Sequence, residues 1–124
     1  MALDVFGQKQ EEKKPLAKFS EVTEQLTHDL DSLVQSPTPD VYAECKAHFD
    51  DFNATYPTLP SNATLMLASQ YQQIVIQFNQ ISGYLTGGNV QLFTSLAPTI
   101  TGMMKAVLNA MSVAAKNLLK EEEK

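Results

Sequence analysis

The residues of this chain that could do chemistry are few and lie in its first half. Cys45 and His48 are three positions apart, which on a helix puts them on one side, and His28, Asp29 and Asp31 cluster on the segment before. Two chemistries use such a set: a thiol–imidazole pair, in which His takes the thiol proton to leave a nucleophilic thiolate, and a transition-metal site. Neither is well supplied. A structural zinc site wants four Cys or His ligands in tight spacing, and the chain offers one Cys and two His. The residues favour an inert, buried Cys45 beside a half-exposed His48. A single Cys also excludes an internal disulfide. Gly83, Gly87 and Gly88 end a helix and do not link a strand to one, so they form no phosphate-cradling loop. The expectation is no catalytic residue, no metal and no cofactor, in a protein that is not an enzyme.

The elements that would position these side chains are read from charge and periodicity. From Phe52 to Met104 nothing ionises except Tyr56, Tyr71 and Tyr84, so this stretch carries no charge at pH 7. The net charge of −5 belongs to the N-terminal part. A solvated helix face normally carries Lys, Glu, Arg and Asp. Here its polar positions hold Gln, Asn, Ser and Thr, which can be buried at the cost of a hydrogen-bond partner and without stranding a charge. Such a segment suits being covered by the protein's own helices, by copies of itself, or by a membrane.

The chain has no arginine, and its nine lysines are scattered among acids. Arg is the usual residue for bidentate contact with phosphates and bases, so a nucleic-acid partner is not expected. Residues 1–15 lack the apolar run of a secretory signal. No stretch reaches eighteen apolar residues, which leaves no membrane span. Asn53-Ala54-Thr55 and Asn62-Ala63-Thr64 fit the glycosylation pattern, but without an export signal they read as ordinary loop and cap residues.

Periodicity predicts four helices in one domain of 124 residues. Residues 1–14 form a polar arm with a small apolar cluster, Leu3, Val5 and Phe6, that could dock on a neighbour. Helix one covers about 15–35, with Leu16, Phe19, Val22, Leu26, Leu30 and Leu33 inward and Glu21, Glu24, Asp29 and Asp31 outward. Thr38-Pro39-Asp40 reads as a cap, a proline in the first turn and an acid suited to the helix dipole. Helix two then covers about 39–53, with Tyr42, Cys45, Phe49 and Phe52 as its apolar stripe. Ser61 is the expected cap of helix three, about 62–86, whose Leu67, Tyr71, Ile74, Phe78, Ile81 and Leu85 keep a four-three spacing. Gly87-Gly88 reverses the chain. Helix four, about 90–120, shows Phe93, Leu96, Ile100, Met103, Val107, Met111, Ala114 and Leu118 in similar spacing, with a kink or break expected at Pro98. Glu121–Glu123 suit a frayed acidic tail, residues 121–124.

The best-supported pattern is one of packing. Gly102, Ala106, Ala110 and Ala114 recur at four-residue intervals as a ridge of small side chains, which lets another helix approach closely. Beside it run Met103, Val107, Met111 and Leu118, leaving a narrow polar strip of Thr101, Lys105, Asn109, Ser112 and Lys116. A helix on the outside of a monomeric bundle needs about one apolar stripe, so this one is either central or shared with a partner. The reading is an all-α, antiparallel four-helix bundle with a long central hairpin of helices three and four. Its expected role is a non-enzymatic subunit that assembles with copies of itself or a dedicated partner, as in a filament, ring, shell or virion. The alternatives are a membrane-active hairpin, which is less favoured, and an adaptor or secretion chaperone holding a partner helix.

Overall fold

The computed structural model describes residues 14–122. The apolar cluster Leu3, Val5 and Phe6 therefore lies outside the described residues, as do Glu123 and Lys124. Four helices run up and down: α1 (Pro15–Gln35), α2 (Pro39–Thr55), α3 (Ser61–Thr86) and α4 (Val90–Glu122), with one 3-10 turn, Tyr56–Thr58, between α2 and α3.

Each join has a local cause. Thr38 is extended, and its hydroxyl accepts from the Val41 amide at 3.3 Å, while Pro39 and Asp40 fill the first turn of α2 as the sequence predicts. At α3 the expectation fails by one residue. Pro60, extended at ψ 154°, offers its carbonyl to the amides of Ala63 and Thr64, so Ser61 becomes the first helical residue and caps nothing. Gly87 ends α3 by donating to the Gly83 carbonyl, where any Cβ would sit 2.8 Å from that oxygen. Gly88 then takes φ +80°, a conformation open to glycine and strained for other residues. α4 runs unbroken through Pro98, so of the kink or break expected there the break does not occur. The proline ring denies the Thr94 carbonyl its donor. α4 also continues to Glu122, past the point where a frayed tail was expected.

The cross-links fix an antiparallel order. α1 meets α2 through Asp29 and His48 near one end and Phe19 and Phe52 near the other. α2 meets α3 through rings: Phe49 stacks on Phe78 with centroids 4.0 Å apart, and Tyr56 lies flat on Tyr71 at 3.9 Å. α4 lies between α3 and α1. Leu16, Phe19, Leu26, Leu30, Leu33, Phe52, Leu67, Ile74, Phe78 and Ile81 are all but inaccessible to water, which bears out the apolar stripes of α1 and α3 and the lower half of α2. Each such side chain contributes roughly 1.5–3 kcal/mol by leaving water.

Two positions depart from the sequence reading. Asp29, expected on the solvent face of α1, is buried. It turns inward because His48 on α2 supplies the polar partner a buried carboxylate needs. The inward stripe of α4 is the second. It consists of Phe93, Ala97, Thr101, Met104, Leu108, Met111, Ser112 and Ala115, so the helix is rotated from the expected register. Leu96 and Met103 are exposed, and Ile100, Val107, Ala114 and Leu118 are half-buried. Periodicity alone could not choose the face, because most of the circumference is apolar. The acids of α1 choose it by drawing in the flank that carries Lys105 and Lys116.

Candidate functional site

Cys45 and His48, the candidate thiol–imidazole pair, are held apart from one another chemically. The Asp29 carboxylate accepts from Nδ1 of His48, so the imidazole is occupied by a carboxylate and not by the thiol. Cys45 is fully buried, and its thiol is pushed up to about 12, first by burial and then by the negative charge of Asp29. It remains a protonated, inert thiol at neutral pH. Asp31 faces the other way, paired with Lys105 of α4. His28 opens onto a shallow polar groove with Glu21, Glu24, Gln25, Asp29 and His48. Among the described residues no group of three or more His, Cys, Asp or Glu side chains could hold a metal ion. An apolar recess of about 240 Å³ lies at the opposite end of α1 from its N-terminus, where Pro37, Pro39 and Tyr42 face Leu85 and Val90.

The seam between α1 and α4 is where the polar strip of α4 is used. Lys116 donates to Glu24 at 2.6 Å, and Ser112 donates to the same carboxylate oxygen at 3.2 Å. That leaves the Ser20 hydroxyl to donate to Ser112, 3.1 Å away. These contacts, the Lys116 hydrogen bond foremost, hold the Glu24 carboxyl below the ordinary carboxylate range. Thr101 is buried and donates back to the Ala97 carbonyl at 2.6 Å. Three of the five residues of the strip, Lys105, Ser112 and Lys116, are thus bonded across to α1, Thr101 is buried, and Asn109 is exposed.

The consequence appears on the opposite side of α4. A bundle helix in a monomer normally turns its polar strip to water; α4 turns much of its own to α1 and leaves an apolar side outside. Leu92, Leu96, Thr99, Met103, Ala106, Ala110 and Val113 are all exposed. They follow one another at steps of four, three, four, three, four and three residues, which is a heptad seam three repeats long. The neighbouring α3 exposes Leu65, Met66 and Ile76, at 79%, 53% and 66%. With Val90 these complete the exposed large hydrophobic residues among those described, and every one belongs to α3, α4 or the first residue of α4.

The ridge Gly102, Ala106 and Ala110 lies on this exposed side, with Ala114 at its half-buried edge. A Cβ at Gly102 would meet nothing within 4 Å, so no helix of this chain approaches it. Met103 belongs to the exposed side as well. Met111 does not: it is completely buried in the bundle's own core, and Val107 and Leu118 are half-buried against it, so these three are held by the chain itself. The sequence reading missed the outer heptad. Its signal was present as a second four-three register beginning at Leu92, beside the inward one.

The described residues form an all-α fold of four helices, whose charge is concentrated on α1 and α2 and absent from α3 and the first half of α4. No family model, no curated protein and no solved structure matches the chain.

Proposed function

We propose that this protein is a non-enzymatic helical subunit that assembles with copies of itself through the uncharged outer side of α3 and α4. The observation that carries the reading is the placement of every exposed large hydrophobic residue, among those described, on those two helices. Apolar side chains scattered singly over a surface need no explanation, whereas large ones confined to two helices, and in heptad spacing along one of them, point to a contact. The α1 and α2 surface, with Lys18, Glu21, Glu44, Lys46, Asp50 and Asp51, keeps the assembled particle soluble. No described helix is long and apolar enough to cross a membrane, and the buried, protonated Cys45 gives no support to thiol chemistry.

Sedimentation equilibrium over micromolar to hundred-micromolar protein tests the reading. The expected result is a mass that rises with concentration to a multiple of 13.7 kDa. A single species at 13.7 kDa throughout would overturn it.

A further inference from the structure

The outer heptad of α4 carries its own information about what covers it. Between Leu92 and Ala110 its N-terminal half presents large side chains, Leu92 and Leu96, and its C-terminal half small ones, Ala106 and Ala110, with Met103 and Thr99 between and Val113 one step beyond. Two helices pack at constant separation only if large side chains meet small ones along the seam. A parallel copy sets Leu92 on Leu92 and Ala110 on Ala110, which forces a wedge, open at one end. An antiparallel copy can slide until Leu92 faces Ala110, Leu96 faces Ala106 and Met103 faces Thr99. Each layer from Leu92 to Ala110 then pairs a larger side chain with a smaller one, on both sides of a two-fold axis near Thr101, and Val113 falls opposite Asn89 at the edge of the paired span.

The charges agree. In coiled coils the residues flanking the seam set partner choice through salt bridges. Here the flanks are Ser95, Gly102 and Asn109 on one side and Ile100, Val107 and Ala114 on the other, none of them charged. Nothing on this face selects an unlike partner by charge, and nothing repels a second copy of a chain whose net charge is −5. An antiparallel pair also sets opposite ends of the two helix dipoles side by side. We infer that α4 pairs with the α4 of a second copy in an antiparallel, isologous dimer in which Leu92 packs on Ala110 and Leu96 on Ala106. This rests on the self-assembly reading above and gives it an orientation and a register.

Cysteine scanning under mild oxidation tests it, because a disulfide forms only when two Cα atoms lie within about 7 Å. Leu96 and Ala106 are exposed, so their substitution leaves the fold intact, and native Cys45 is buried and provides the silent background. In the inferred dimer a residue five positions from the axis stands roughly 15 Å along the seam from its own copy. Leu96→Cys alone and Ala106→Cys alone are therefore expected to stay uncross-linked, while the double variant Leu96→Cys/Ala106→Cys forms covalent dimer. Within one chain those two positions are also about 15 Å apart, so the bond must be intermolecular. Cross-linking of each single variant to itself would show a parallel seam and overturn the inference. An oligomeric protein that cross-links in none of the three would place assembly elsewhere, sinking the inference and sparing the self-assembly reading. A 13.7 kDa species that does not cross-link would sink both.

Discussion

α1 and α2 on one side, and α3 and α4 on the other, build the same core with opposite outer surfaces. The first pair spends its polar residues on water: acids and lysines line its outside, and its buried Asp29 is matched by His48. The second pair has no charge before Lys105, and α4 turns Lys105 and Lys116 toward α1, where they meet Asp31 and Glu24. The difference shows that amphipathicity is a property of the assembled bundle. α4 is apolar on two sides, and the charges of α1 decide which of them faces inward.

The contrast is sharpest at two isoleucines on one helix. Ile74 is 0% exposed and Ile76 is 66% exposed. Ile74→Ala is expected to cost about 2–5 kcal/mol in urea unfolding, through lost burial and a residual cavity. Ile76→Ala is expected to stay within about 0.5 kcal/mol when measured at protein concentrations too low for assembly. Equal costs would abolish the distinction between the inner and outer sides of α3.

A second expectation concerns the charged pair of helices. The Cys45 thiol rises from 9.0 in the unfolded chain to about 12 in the fold. The fold thus holds the protonated form, and its contribution is complete below the unfolded value. Stability should fall as pH rises from about 9 toward 12, by up to about 1.4 kcal/mol per unit. Tyr56 and Tyr71, whose hydroxyls are likewise raised by burial, act in the same direction from 10.0 upward. Urea midpoints for the native protein and Cys45→Ala across that range check it: the variant should start less stable and lose less. Rapid labelling of native Cys45 by a thiol reagent at neutral pH would contradict the buried placement.

The smallest effect lies on the seam that joins the two halves. Glu24 is held below its usual range by Lys116 and Ser112, so its contribution is present at neutral pH and disappears as pH falls through the lowered value. Both partners of the ion pair are about half exposed, which limits Glu24→Gln to roughly 0.5 kcal/mol at neutral pH and to nothing in acid. No loss at all at neutral pH would mean that this contact has no part in setting the rotation of α4.

Much of this was legible in the sequence because the cues were local. Pro15 and Pro39, the Thr38 cap and the Gly87-Gly88 reversal mark ends with particular backbone requirements, α1 has a single apolar side to bury, and the inward stripe of α3 keeps its four-three spacing from Leu67 to Leu85. The errors fall where the cue is not local. Asp29 looked like a surface acid because its partner is nineteen residues away on another helix. The face of α4 was misjudged because apolar residues surround most of it, and its selector, the acids of α1, is distant in sequence. The small-residue ridge was recognised, yet whether it faced the bundle or the outside could be read only from the rotation those acids impose.

The most direct test of the central claim places a charge on the outer seam. Met103 is 49% exposed and has no part in the inward stripe of α4, so Met103→Glu should leave helical circular dichroism and the melting of the dilute protein unchanged. Light scattering on the native protein and the variant at the same high concentration is then decisive. The account predicts a multiple of 13.7 kDa for the native protein and 13.7 kDa for Met103→Glu. An unchanged assembled mass in the variant would contradict it.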